Sequence, residues 1–479
     1  MANQYFVRGV THAVFHTYTH NPNADTMFPG TSFGRNIGTP FLRGQTWWKH
    51  MPEFTSYFAR LSYMLERGRP VNDVLWYLGD GSMHKPDEEY PFPKGFGFDY
   101  CNQDVLLNRL SVKNGRLVTP EGLSWTFLWL PDNHHMLPAT AAKLRELVEA
   151  GATIVGDEPL NLATLVTSGD VLGANAADAS SYEEDIAALW HSGNRVGKGM
   201  VLSGMSLEEA LSTLHLSPDV TVCNPDGTPE PSWLHRQTKG ADWYFITAPR
   251  DLPFSGKLTM STTGAASIWD PVTGDIIPIA SQQENGKSTI RIDLPYAGSC
   301  FVVFDHKSKS KPVPSVSQTG SFAIDSDWEL SFPEGWGAPE SVRLSSLKAW
   351  KDLDMLQEEG RAFSGTATYT RTVRLDKMEP GSSYRLNLGK VDEIAKVYVN
   401  GKEIRTLWCE PYSADVTGAL HEGDNELKIE LTSTWFNRLV YDASLPENLR
   451  KTWVISGPGK DSPLRPSGLL GPVSLTVNK

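Results

Sequence analysis

The sequence predicts a multidomain protein of mixed α/β and all-β class. Up to about residue 214, helix-like and strand-like periods alternate, which points to a parallel sheet with helices on both faces. Beyond that point the apolar runs shorten to strand length and are parted by turn residues, the pattern of β-sandwiches. At 479 residues the chain also has room for several cores, on the order of three or four domains. The division these observations suggest is 1–78, 79–214, 215–307, a linker at 308–320, and 321–479.

The first segment reads as strand, loop, helix, strand. In GVTHAVFHTYTHNP the residues Val10, His12, Val14 and His16 share one face of a strand that would end in His16, Tyr18 and His20. Such a strand delivers polar aromatic side chains to a pocket, as in a partial (β/α)8 barrel. The Gly- and Pro-rich stretch that follows has no periodicity, and a loop of that length in a compact domain is usually functional. A helix is predicted from Trp47 to Arg67, with Phe54, Tyr57, Phe58, Leu61, Met64 and Leu65 as its apolar stripe. Gly68 and Pro70 stop it. The run VNDVLWYLGDG is a buried strand closed by Gly79-Asp80-Gly81.

From there the pattern is β-α-β-α: a helix at QDVLLNRL, the strand WTFLWLP, the helix ATAAKLRELVEAG and the strand ATIVGDEP. A helix at YEEDIAALW, a strand at GMVLSG and a helix at SLEEALSTL complete it. The last opens on Ser206 with Glu209 three residues on, a capping box. The ligand crevice of such a sheet would lie at the C-terminal strand ends, near Asp80, Pro131 and Gly156. After residue 215, DWYFITA, KLTMSTT, STIRIDLP and CFVVFD read as sandwich strands. SKSKPVPSVSQTG is a linker, and a second β block runs to Lys479.

Composition excludes several functions. A net charge of −12 disfavours nucleic acid and anionic membrane as partners. No apolar run approaches the roughly 18 residues of a membrane span, and MANQYFVRG lacks the regions of a signal peptide. Cys101, Cys223, Cys300 and Cys409 are far apart and read as four buried free thiols. No phosphate-binding glycine motif and no GxSxG elbow is present. The 15 Trp are many for an acidic, soluble-type composition, and aromatic faces stack on sugars.

A glycosidase needs two carboxylates across a cleft. Residues 1–78 contain only Asp25, Glu53, Glu66 and Asp73, none well placed for a pair. The candidate substrate-binding residues are His16 and His20 at the strand end, Trp47 after the loop, and Asp80 in the β-to-α turn. Each has a structural alternative: a core histidine, a packing tryptophan, a turn-forming aspartate. His134-His135 reads as a solvated loop. A metal at His16 and His20 lacks a third ligand nearby in the sequence.

These stretches resemble a known family. GVTHAVFHTYTHNP, PGTSFG and QTWWKHMPEFTSYFARLSYMLERGRPVNDVLWYLGD are similar to glycoside hydrolase family 106, the α-L-rhamnosidases, and the likeness continues through WLHRQTKGADWYFI and GSCFVVFD. The final block, from LNLGKVDEIAKVYVNGKEI to RPSGLLGPV, resembles the galactose-binding-like jelly-roll sandwich of family 2 glycosidases. The alternating pattern of 79–214 reads as a flavodoxin- or amidotransferase-like domain, and the resemblance implies that 1–78 is the C-terminal remnant of a (β/α)8 catalytic barrel. It implies an inverting hydrolase that removes terminal α-L-rhamnose from rhamnose-containing oligo- or polysaccharides, with calcium as a possible active-site ion. It places His16, His20 and Asp80 at pocket-lining positions. No residue here matches the family's catalytic glutamates, so the chain reads as the C-terminal portion of such an enzyme. Family members are often periplasmic or secreted. The competing reading is a non-catalytic carbohydrate-binding protein, with Trp408, Trp435 and Trp453 as stacking residues. A barrel remnant would also leave Val10, Val14, Leu75 and Leu78 exposed and promote self-association.

Overall fold

The structure, a computed structural model, describes residues 2–16, 18, 20–21, 27–30, 41–80, 92–131, 135–162, 165–167, 170–172, 176–223, 229–308 and 317–479. The chain forms two compact units. One gathers Met1–Val10, Met64–Asp270 and Asp275–Pro312; the other gathers Thr11–Tyr63, Pro271–Gly274 and Val313–Lys479.

The first unit is built on a six-stranded sheet. Its order is Arg195–Val196, Gly199–Leu202, Thr153–Val155, Phe127–Trp129, Val74–Tyr77, Phe98–Cys101, and only the Arg195–Val196 edge is antiparallel. Alternate residues of one strand feed two cores, as helices on both faces require. Leu75 and Tyr77 join Leu144, Leu147 and Val148 of the helix Pro138–Ala150. Val74 and Trp76 join Leu207 and Leu211 of the helix Leu207–Thr213. That helix carries the expected capping box between Ser206 and Glu209. Gly151 closes Pro138–Ala150 at φ 122°, a conformation that side chains resist. The same unit contains a sandwich. Val220–Cys223, Phe254–Met260, Lys287–Leu294 and Gln282–Glu284 form one sheet, and Ser232–Gln237, Ala241–Thr247 and Ser299–Asp305 are central to the other. Tyr244, Ile246, Leu258, Ile290 and Val302 fill the space between them.

The second unit is a larger sandwich. A six-stranded sheet includes Thr366–Leu375, Gly423–Thr432 and Ile394–Val399; a four-stranded one includes Ser383–Asn387 and Ser474–Asn478. Tyr369, Val397 and Ile429 from the first meet Leu386, Leu475 and Val477 from the second in one core. The described residues among 11–63 belong to the same unit as this sandwich. The helix Met51–Leu65 lies there up to Tyr63, preceded by a 3-10 turn at Trp48–His50, and the His50 ring reaches the Thr432 hydroxyl at 3.3 Å.

Several expectations are corrected. Residues 10–16 form no strand. Their alternation finds no ladder among the described residues, and Val14 is 89% exposed; period two without a paired neighbour does not make a stable strand. Val74–Tyr77 is an inner strand of the parallel sheet, so Leu75 is buried rather than exposed and Leu78 is half-buried. Of the four thiols only Cys101 and Cys300 are buried, while Cys409 is half-buried and Cys223 exposed. No helix among the described residues is long and apolar enough to cross a membrane.

Candidate functional site

The second unit assembles an aromatic platform from its N-terminal residues. Helical spacing puts Phe54, Tyr57 and Phe58 on one face of Met51–Leu65. Phe15 packs on that face, 4.9 Å from Phe41, 5.2 Å from Phe58 and 5.9 Å from Phe54. Trp408 closes the far side, edge-on to Phe54 and Tyr57 at 5.8 and 5.5 Å. Tyr18 pairs with Phe41 through a parallel bridge and lies 5.8 Å from Trp48. Phe15 therefore anchors the segment, and His16 and His20 on either side of Tyr18 are exposed. Trp47 is half-buried, edge-on to Phe41 at 6.2 Å and 6.5 Å from Trp48. Rings of this kind offer stacking faces for a pyranose, and exposed imidazoles can donate to or accept from its hydroxyls. His16, His20 and Trp47 thus belong to one unit, and Asp80 belongs to the other.

Asp80 lies in a different chemical setting. Oδ1 accepts from the Tyr77 hydroxyl (2.5 Å), the Gln103 amide (2.9 Å) and the Thr140 hydroxyl (2.5 Å), and Oδ2 accepts from the Leu137 backbone N–H (2.7 Å). Leu137 is the N-cap residue of Pro138–Ala150. The carboxylate therefore ties the end of Val74–Tyr77 to a helix start, where the helix dipole favours a negative charge. Burial, then the neighbouring Asp80, pushes the Tyr77 phenol well above its ordinary value.

Of the other candidates, Asp25 and His134 lie outside the described residues, and His135 is exposed on the short strand His135–Met136. Trp435 is buried: it stacks on Phe28 at 5.6 Å and donates to the Gly44 carbonyl at 2.6 Å. Trp408 is half-buried in the platform, and Trp453 is 41% exposed. No three His, Cys, Asp or Glu side chains converge among the described residues, whereas a calcium ion takes six to eight oxygen ligands.

Two clusters escaped the sequence reading. Arg438 is fully buried in the second unit, paired to Asp442 at 2.8 Å and Glu359 at 2.7 Å. Asp442 also accepts from Lys451 and Thr452, so the charges brace the helix Phe436–Ala443 against Thr452–Trp453. The four-residue spacing of Arg438 and Asp442 in FNRLVYDA was the available signal. The second cluster is Asp392 and Glu393 before the strand Ile394–Val399. Burial pushes the Asp392 carboxyl up to about 6, and burial also raises that of Glu393, with Arg465 opposing in both. One Asp392 oxygen is buried with no hydrogen-bond partner. Nothing in the hydropathy pattern marks this pair.

Comparison with known proteins adds to the geometry. A family model described as alpha-L-rhamnosidase matches residues 1–283, and one described as a glycosyl hydrolase 2 galactose-binding domain-like module matches residues 354–462. A solved rhamnosidase from Novosphingobium sp. PP1Y is 30% identical and superposes with a TM-score of 0.89 over 99% of this chain and 45% of its own. A Formosa agariphila protein with a provisional β-glucuronidase name is 22% identical over 98% of this chain and 60% of its own length. The chain thus spans about half the length of these relatives.

Proposed function

Because the chain belongs to the α-L-rhamnosidase family of glycoside hydrolases, we propose that it serves an inverting hydrolase that releases terminal α-L-rhamnose from rhamnose-containing glycans. Its own contribution is to hold the sugar on the segment from Phe15 to His20. The observation that carries this reading is the exposure of His16 and His20 on a segment anchored by aromatic packing. Exposed imidazoles can donate to or accept from the hydroxyl groups of a sugar. In the same reading, the N-terminal residues up to the helix Met51–Leu65 are the closing portion of a (β/α)8 barrel. The parallel bridge between Tyr18 and Phe41 supports this.

Inversion requires an acid and a base roughly 6.5–9.5 Å apart on opposite sides of the scissile bond. Among the described residues, Asp392 and Glu393 are carboxyls whose affinity for a proton is raised. They are neighbours on one loop, so they do not flank a sugar, and the catalytic pair is assigned to no residue here. The test is turnover of an aryl α-L-rhamnoside, with the anomer released followed by NMR. Release of the β-anomer by the chain or by the enzyme that contains it supports the reading; release of the α-anomer contradicts inversion.

The accessory carbohydrate-binding reading draws on Trp453, whose ring remains 41% exposed beside the galactose-binding-like sandwich. A rhamnose affinity that falls in Trp453→Ala and stays constant in His16→Ala would favour it.

A further inference from the structure

A cleft of about 660 Å³ opens in the first unit, between residues 68–73, residues 116–124 and the turn at 237–239. Its walls carry three cations from three separate segments: Arg69, Arg116 and Lys239. The backbone sets their positions. Arg69 sits on the short strand Arg69–Pro70, in register with Gln237, and Lys239 follows in the hairpin turn. Arg116 opens the strand Arg116–Val118. Its guanidinium donates to the Ser124 hydroxyl and the Thr126 hydroxyl, each at 2.8 Å, which locks its plane.

Arg69 has a built seat. A Cβ placed on Gly122 would lie 2.6 Å from its Nη1 and 2.7 Å from its Cζ, so only glycine lets the guanidinium lie against the backbone there. One N–H donates to the Gly122 carbonyl at 3.2 Å, and the fork retains further donors. Among the described residues none of the three cations forms an ion pair. The lining includes one carboxylate, Asp73, which accepts from the Thr126 hydroxyl at 2.7 Å. The cleft is therefore locally positive in a chain of net charge −12.

The location separates it from Asp80. Asp73 precedes the strand Val74–Tyr77 and Asp80 follows it, so about seven residues at roughly 3.3 Å each put the two ends on the order of 20 Å apart.

We propose that this cleft is a secondary binding site for an anionic saccharide, whose carboxylate or sulfate ester is held by Arg69 and Lys239. Planar guanidinium forks match such oxyanions two bonds at a time. Gln237, Ser124 and Thr238 supply amide and hydroxyl partners for the sugar ring. The oxyanion half of the proposal stands on the cations alone; the saccharide half rests on the glycosidase reading.

The experiment is calorimetric titration of the full chain at low ionic strength with sodium D-glucuronate, sodium sulfate and methyl α-D-glucopyranoside. The same titrations follow for Arg69→Gln, Lys239→Gln and the double variant, whose thermal unfolding confirms that these exposed positions leave the fold intact. Glucuronate is expected to bind, to weaken with added sodium chloride, and to weaken at least tenfold in the double variant, while the neutral glucoside gives no heat. Sulfate binding without glucuronate binding overturns the saccharide half. Absence of heat from both anions at millimolar concentration, or an undiminished affinity in the double variant, overturns the whole. L-Rhamnose titrated in parallel reports on the Phe15–His20 segment, so failure there is distinguishable from failure of the cleft.

Discussion

Asp80 and the pair His16 and His20 carry the same signature in the sequence: a stretch of apolar alternation or run that closes on polar residues at a turn. In the first unit, Asp80 meets four donors and becomes a joint between strand and helix. In the second unit, Phe15 packs on Phe41 and Phe58 while staying 40% exposed, and the two imidazoles are exposed as well. Whether a polar residue at an element's end carries a structural load is decided by what the fold brings against it. That depends on partners such as Gln103 and Thr140, 23 and 60 residues away, which local pattern does not reveal.

The largest effect should follow from breaking the Asp80 network. Asp80→Ala leaves donors from Tyr77, Gln103, Leu137 and Thr140 without their acceptor, and a loss of about 3 kcal/mol is expected in denaturant unfolding. Sugar affinity measured below the transition should not change. A selective loss of affinity with unchanged stability would place Asp80 among the sugar-binding residues.

Two buried histidines sharpen the same contrast through pH. His50 is buried beside Thr432, and burial, then the Lys49 and Lys396 charges, lowers it from 6.5 to about 4. His235 is buried as well, but Asp219 at 2.7 Å and Asp242 at 3.0 Å overcome the burial and raise it. For His50 the unfolded chain takes the proton first. Stability in the second unit should therefore fall by about 2–3 kcal/mol between pH 6.5 and 4. His50→Gln should flatten that slope in urea unfolding followed across pH. For His235 the sign reverses. Its contribution is complete below the unfolded value and is lost as pH rises through the folded one.

A smaller effect is expected at Asp392. Its ionised form is disfavoured in the fold, so the penalty is present above about pH 6 and vanishes below the ordinary carboxylate range. Asp392→Asn should stabilise the protein by about 1 kcal/mol at pH 8, after allowance for solvent screening, and by little at pH 4. Destabilisation at pH 8 would show that the Ser467 hydrogen bond and the Arg465 charge outweigh burial.

Much of the scaffold was legible in the sequence because local physics decides it. The stripe from Phe54 to Leu65 predicted the helix, Ser206 and Glu209 predicted a capped start, and the switch from helical to strand periods near residue 215 marked the change of architecture. The strand expected over residues 10–16 failed because alternation specifies a face only when another strand pairs with it. The platform was half legible. His16, His20 and Trp47 were candidates, but Trp408 was read as a surface stacking residue, and its packing against Phe54 and Tyr57 joins positions about 350 residues apart. Asp392 stayed hidden because burial, not pattern, raises its proton affinity.

The central claim is that the exposed imidazoles of the second unit hold the sugar while Asp80 holds the fold. The most direct measurement is titration of L-rhamnose and methyl α-L-rhamnoside into the protein, with His16→Ala, His20→Ala and Asp80→Ala compared side by side and each variant's unfolding midpoint recorded. At least a tenfold weaker affinity with an unchanged midpoint is expected in the histidine variants, and an unchanged affinity with a lowered midpoint in Asp80→Ala. Equal affinities in wild type and both histidine variants would contradict it.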